Sequence, residues 1–301
     1  MYKRLLVPLD GSPLAESILP VAVCLAKSLS ATVALIHIIE KNAPQEVHGM
    51  QHLHDVAEAE TYLQRIAAEW FAEVGATETH VHTEEIADVA RGILQHVDEF
   101  HSDLTLMCTH GRSGPRQFLY GSIAQQIAAS SVPVLFIRES TGDPKADFAL
   151  RKLLVPLDGD PEHEQSLEVA VELARKCHSA IHLLTVVPKL SLVSGGWTQS
   201  VRLLPATTER MLSMEAAEAE EYLKDHQRRI AKIPLEARSE VLRGDPAEET
   251  VKVTAAQGVD LLVLGTHGTI GAQAFWSGSV AAKIARKTVA PVLLVPALPR
   301  A

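Results

Sequence analysis

Aromatic residues make up only 4% of this 301-residue chain, so its interior has to be built from Leu, Val, Ile and Ala. Cysteine is nearly absent. Cys24, Cys108 and Cys177 are too few and too scattered for a disulfide framework or a thiolate zinc site, and they fit a reducing compartment. There is no basic run, which disfavours contact with a nucleic-acid backbone or an acidic membrane. No uninterrupted apolar stretch approaches the roughly 20 residues of a spanning helix. Leu5-Leu6-Val7, after the N-terminal charges, stops at Pro8 and is too short for a signal peptide. The expectation is a cytoplasmic protein whose partners include no nucleic acid and no membrane.

What is present is an ordinary globular composition, 47% hydrophobic and 22% charged. The length suggests two domains at about 150 residues each. The net charge of −9 is uneven: residues 1–150 carry 10 Lys and Arg against 19 Asp and Glu, and residues 151–301 carry 18 of each. The chain also repeats itself. Leu5-Leu6-Val7-Pro8-Leu9-Asp10-Gly11 recurs residue for residue from Leu153 to Gly159. Thr109-His110-Gly111 returns as Thr266-His267-Gly268, Gly121-Ser122 as Gly278-Ser279, and Pro133-Val134-Leu135 as Pro291-Val292-Leu293. Two homologous domains, 1–139 and 150–301, explain this order, with a linker around Glu139–Ala149.

Each copy alternates short β-rich runs with helical stretches. The first predicts strands near 3–9, 32–39, 79–84, 103–108 and 132–137, and helices near 13–29, 52–74, 86–99 and 121–130. The second predicts strands near 152–157, 180–187, 236–242, 259–264 and 291–295, and helices near 161–177, 208–231, 246–257 and 278–288. Continuous apolar runs such as Leu261-Leu262-Val263-Leu264 suit strands covered on both faces, as in a parallel sheet. Asp245-Pro246 reads as an N-cap followed by a proline in the first turn. The fold class is α/β: two tandem doubly wound domains, each a five-stranded, mainly parallel sheet with helices on both faces. Segments 40–51 and 188–207 are the least regular and read as lids or linkers.

Ligands of open α/β sheets bind beyond the carboxyl ends of the strands, at the switch point. In the second copy that place holds Pro156-Leu157-Asp158-Gly159 after the first strand and Gly265-Thr266-His267-Gly268 after the fourth. The latter loop leads to Gly278-Ser279 at a helix start. Glycines let main-chain amides approach phosphate oxygens, a helix N-terminus adds unsatisfied donors, and a serine there can donate its hydroxyl. A carboxylate at the other end repels phosphate but accepts from ribose hydroxyls or an adenine amine. Taken singly, Asp158-Gly159 is also a turn that caps the next helix, and Gly278-Ser279 an ordinary helix start. Their joint order points to the two ends of a nucleotide site.

With these motifs the sequence resembles a tandem universal stress protein over almost its whole length. Nucleotide-binding members of that family carry Gly-x2-Gly-x9-Gly-(Ser/Thr) and an Asp after the first strand. The second copy matches with Gly265, Gly268, Gly278-Ser279 and Asp158. The resemblance implies that Val186 contacts adenine and that Leu264, Gly265, Gly268, Gly278, Ser279 and Val280 surround ribose and phosphates. Pro156 and Leu157 lead into the Asp and belong with this set. It also implies ATP as the ligand, with Mg2+ or Mn2+ brought by the phosphates. Packing through the last strand is implied too, which a tandem chain can satisfy within itself as an intrachain pseudo-dimer, with a homodimer and an unidentified protein partner beyond it. The apolar Val292-Leu293-Leu294-Val295 is an edge that has to be covered.

The first copy departs from the pattern, because Cys108 stands where Gly265 does. Its side chain limits φ and close approach, so this motif reads as degenerate. Cys108 itself reads as an acidified thiol near a helix start or, more commonly, as a small buried hydrophobe. The second motif contains neither a P-loop Lys nor any Arg or Lys in residues 269–277; His267 either bonds a phosphate or braces the loop. That suits an ATP-dependent switch or a slow ATPase. The alternatives are a nucleotide-independent interaction module with vestigial glycine loops, and an adenylating enzyme with a Ser-Gly-Gly loop. The latter is disfavoured because Ser194-Gly195-Gly196 follows the second strand instead of the first. Histidines are enriched, nine of fourteen lying in the first half, and His80-Val81-His82 puts two imidazoles on one strand face. A metal needs three or four convergent ligands, and the spacing alone assigns no metal site.

Overall fold

The computed structural model describes residues 2–41, 46–47, 50–51, 53, 55–86, 88–109, 122–138, 147–189, 205–266 and 279–297. The first half contributes strands β1 (Arg4–Pro8), β2 (Thr32–Glu40), β3 (Thr77–Ile86), β4 (Leu104–Thr109) and β5 (Val134–Arg138). Its helices are α1 (Leu19–Leu29), α2 (Val56–Trp70), α3 (Val89–Glu99) and α4 (Ser122–Ala128). The second half contributes β6 (Lys152–Pro156), β7 (Ala180–Val187), β8 (Ala237–Arg243), β9 (Leu261–Thr266) and β10 (Val292–Pro296). Its helices are α5 (Gln165–Cys177), α6 (Pro205–Ile230), α7 (Pro246–Ala256) and α8 (Val280–Lys287).

These ten strands join one sheet in the order β8-β7-β6-β9-β10-β5-β4-β1-β2-β3, while Glu46–Val47 and Met50–Gln51 form a separate antiparallel pair. Within each half the strands are parallel and run 3-2-1-4-5. The order therefore reverses between the first and fourth strands, the switch point of a doubly wound fold. The halves meet where β10 pairs antiparallel with β5, setting Val292 opposite Phe136, Leu293 opposite Leu135 and Leu294 opposite Val134. These six side chains are almost wholly buried. The apolar edge expected of the last strand is thus covered by its counterpart in the same chain, and Arg138 Nη1 donates to the Thr288 carbonyl at 2.9 Å across the same seam.

Successive strand residues supply opposite faces. Leu5 and Val7 pack under α1 and α2, while Leu6 packs under α3 and α4. Leu153 and Val155 repeat this against α5 and α6, and Leu154 against α7 and α8. Each fully buried Leu or Val stabilises the fold by about 1.5–3 kcal/mol relative to an exposed one, so two aliphatic layers replace the missing aromatics.

Helix starts are capped at the carboxyl side of the sheet. Asp55, Asp88, Asp245 and Ser279 each accept from an amide of the following first turn, satisfying donors that would otherwise be orphaned. Two expected helices are interrupted. The 13–29 stretch is a single turn, Pro13–Glu16, followed by α1; Pro20 has no amide to bond back to the Glu16 carbonyl. The 161–177 stretch opens as a tight turn, Pro161–His163, before α5. Ser191–Pro205, expected as an irregular loop, lies largely outside the described residues. Among the described residues no helix is long and apolar enough to cross a membrane.

Candidate functional site

A cavity of about 360 Å³ opens at the switch point of the second half. Its floor is the carboxyl ends of β6, β7 and β9, and its far wall is the starts of α7 and α8. Pro156, Leu157, Asp158, Val186, Leu264, Gly265, Ser279 and Val280 all line it. Strand register explains this: Leu153 and Leu154 on β6 pair with Leu261 and Leu262 on β9, and Pro156 pairs with Leu184 on β7, so the three strands end together. His267, Gly268 and Gly278 lie outside the described residues.

The cavity has an apolar side and a polar side. Leu184, Val186, Leu264, Pro246, Ala281 and Ile284 form the first. Asp158, His163, Thr266 and Ser279 are polar groups of the second. A mainly apolar hollow with a few convergent polar groups, in this size range, is the usual form of a small-ligand site. None of the described lining residues is Lys or Arg.

Asp158 is fixed by its own turn. Its Oδ1 accepts from the Asp160 amide at 3.1 Å, and its Oδ2 is 2.8 Å from His163 Nδ1. Partial burial opposes ionisation, but the hydrogen bonds from His163 and Asp160 outweigh it and hold this carboxyl below its usual range. The side chain remains 59% exposed toward the cavity mouth, with lone pairs left to accept from a ligand. His163 is the residue that sequence reasoning missed. It sits five positions after Asp158 in the tight turn, and no motif marks it.

Gly265 has a reason that its motif role did not include. A Cβ at this position would stand 3.2 Å from the Cα, Cβ and carbonyl oxygen of His163. The glycine therefore lets the turn carrying His163 rest directly on β9, and that turn carries the partner of Asp158. Ser279 is the N-cap of α8, its hydroxyl oxygen accepting from the Ala282 amide at 3.1 Å. Among the described residues its hydroxyl hydrogen has no acceptor, so it can donate to a ligand.

The first half is built differently at the same place. Cys108 occupies the end of β4, its Sγ 3.4 Å from Ser17 Oγ and from the Thr109 carbonyl. It is a partly buried group packed against the core. Leu53 lies over the Asp10-Gly11 turn: its Cδ1 would be 2.8 Å from a Cβ on Gly11. His37 holds this cover, with Nδ1 2.8 Å from the Leu9 carbonyl and Nε2 3.3 Å from the Leu53 carbonyl. The second half has Thr185 where the first has His37, its hydroxyl donating to the Leu157 carbonyl at 2.9 Å. One further pair repeats. Glu16 lies beside Tyr62, and Glu164 accepts from Tyr222 at 3.1 Å; burial and then these carboxylates push both phenols up.

Two doubly wound units, fused through their last strands, define a tandem α/β protein with a cavity at the switch point of its second half. Comparison gives its family: the chain belongs to the universal stress protein family, whose model matches residues 1–138 and 149–296. It is 26% identical over 144 residues to Universal stress protein YxiE of Bacillus subtilis, covering 48% of this chain and 97% of that one. It is 29% identical over 150 residues to Universal stress protein MJ0531 of Methanocaldococcus jannaschii, covering 48% and 81%. Among solved structures, a universal stress protein from Archaeoglobus fulgidus is 18% identical with a TM-score of 0.65, covering 98% of this chain and 96% of that chain. A functionally unknown protein from Pseudomonas aeruginosa is 15% identical with a TM-score of 0.67, covering 98% and 93%. These likenesses to solved structures show the tandem fold alone.

Proposed function

We propose that this universal stress protein is a stress-response protein that binds ATP in the cavity of its second half and works as a nucleotide-dependent switch or slow ATPase. The observation that carries the reading is the assembly of one hollow from Asp158, Val186, Leu264, Gly265 and Ser279, five residues from four separate segments. Val186 and Leu184 offer adenine an apolar surface. Asp158, oriented by His163, accepts from ribose hydroxyls or the adenine amine. Ser279 and the amides at the start of α8 face the phosphate end, where the helix dipole favours negative charge.

The lack of Lys and Arg among the described lining residues leaves phosphate charge to amides, hydroxyls and a divalent ion. Mg2+ or Mn2+ would arrive on the phosphates and neutralise part of that charge. Fast phosphoryl transfer commonly uses a cationic side chain as well, so the lining supports retention of nucleotide over rapid turnover.

Mass spectrometry of small molecules released from denatured protein, followed by calorimetric titration with ATP and Mg2+, tests this. ATP binding that is lost in Gly278→Val, with the circular dichroism spectrum retained, is the expected result. Equal affinity in wild type and variant would rule this site out; no binding by either would leave the interaction-module reading in its place.

A further inference from the structure

Far from the cavity, at the outer edge of the sheet, three histidines converge. His80 and His82 lie on β3, the edge strand of the first half, and His96 lies on α3, which covers that face. One ligand nitrogen from each lies within 4.8 Å of the other two. The rings also touch: the His96 centroid is 4.8 Å from that of His80 and 5.0 Å from that of His82. Phe100 closes the group from one side, 5.5 Å from His80 and 6.0 Å from His96.

The hydrogen bonding of the buried member decides what the cluster offers. His96 is 0% exposed, and its Nδ1 is 2.8 Å from the Gly92 carbonyl. A carbonyl only accepts, so Nδ1 carries the hydrogen. In the neutral ring this leaves Nε2 as a lone-pair atom. That Nε2, and the Nε2 of His82, are buried and make no hydrogen bond among the described residues. Buried polar atoms of this kind call for an explanation, and packing three imidazoles against one another supplies none. A backbone carbonyl fixing one ring nitrogen while the other points inward is how metal-bound histidines are oriented. Glu99 supplies a carboxylate at the rim, its Oε2 3.8 Å from His96 Nε2.

We propose that His80, His82 and His96 bind a zinc-class divalent transition-metal ion, with Glu99 or water completing the shell. Imidazole nitrogens suit such ions, whereas Mg2+ and Ca2+ take oxygen. Tetrahedral coordination at about 2.0–2.1 Å requires the three nitrogens to draw together to about 3.3 Å. His80 and His82, which are only partly buried, have room to make that movement. The strand pattern alone placed two of these imidazoles side by side; packing of α3 supplies the third. The net charge of −9 on residues 1–150 adds a field that draws cations to this half.

The test is calorimetric titration of the untagged full-length chain with ZnCl2, after chelator treatment. One ion per chain is expected, with His80→Ala and His82→Ala each weakening it at least the ~100-fold that loss of an outer-shell partner alone can cost. The half-buried positions are chosen because truncating His96 risks the fold. In the wild-type chain, Zn2+ is also expected to move the ring nitrogen resonances of all three histidines together. Unchanged affinity in both variants, ring signals that do not move, or no stoichiometric uptake would overturn the site.

Discussion

Gly11 and Gly159 are the same residue of the repeat, with the same left-handed backbone at φ +87° and +81°, yet they stand in different surroundings. Gly11 lies under Leu53, a side chain returned by the segment after β2. No described atom lies within 4 Å of where a Cβ on Gly159 would be. In the fourth strand of each half, Cys108 on β4 stands where β9 has Gly265. An identical heptapeptide thus lies under Leu53 in one half and, among the described residues, borders an uncovered cavity in the other. The turn is local chemistry, set by the Asp side chain and the following amides. Whether a ligand can reach it is decided by residues 40 to 100 positions away in sequence.

The junction between the halves offers the largest effect. Leu293 is fully buried where β10 meets β5, and Leu293→Ala should cost about 2–5 kcal/mol in urea unfolding. A loss confined to surface-substitution size would mean that the seam contributes little. Next comes the glycine pair. Alanine at Gly11 meets both the φ penalty and Leu53, and should cost about 1–3 kcal/mol, against about 1 kcal/mol at Gly159. Adding Leu53→Ala should shrink the gap, measured as a double-mutant cycle. A gap that persists would assign it to something other than the cover.

Ser279→Ala removes the α8 cap and should cost about 1 kcal/mol, with glycine there costing less. The smallest effect concerns acid. Asp158 has its carboxyl held below the ordinary value, so its contribution to stability is complete above about pH 4 and disappears as pH falls through the folded-state value. The stability difference between wild type and Asp158→Asn should therefore narrow on acidification below that point. His163→Ala should bring the Asp158 carboxyl back toward the usual carboxylate value, read by carbon NMR.

Much of this architecture was legible in the residues. The heptapeptide repeat announced two like units, β-rich runs fell on the ten strands of the large sheet, eight of them mainly apolar, and Asp245-Pro246 marked the start of α7, whose cap is made as expected. The apolar last strand foretold its own covering. Asp158, Gly265 and Ser279 were legible at strand ends and a helix start, whereas Val186, Leu264 and Val280 came from the family resemblance alone. His163, Leu53 and His96 were legible in neither way. Each acts through a contact made by the folded packing, and none belongs to a periodic or spaced pattern. The Glu16–Tyr62 and Glu164–Tyr222 pairs were readable in principle, since both members recur in step, but only geometry shows that they meet.

The central claim is an inequality between two copies of one unit, and the stoichiometry of ATP binding to the full-length chain tests it most directly. Calorimetric titration in the presence of Mg2+ should give one nucleotide per chain, a number unchanged by Cys108→Val and abolished by Gly278→Val. Two nucleotides per chain, or one that survives Gly278→Val, would contradict it.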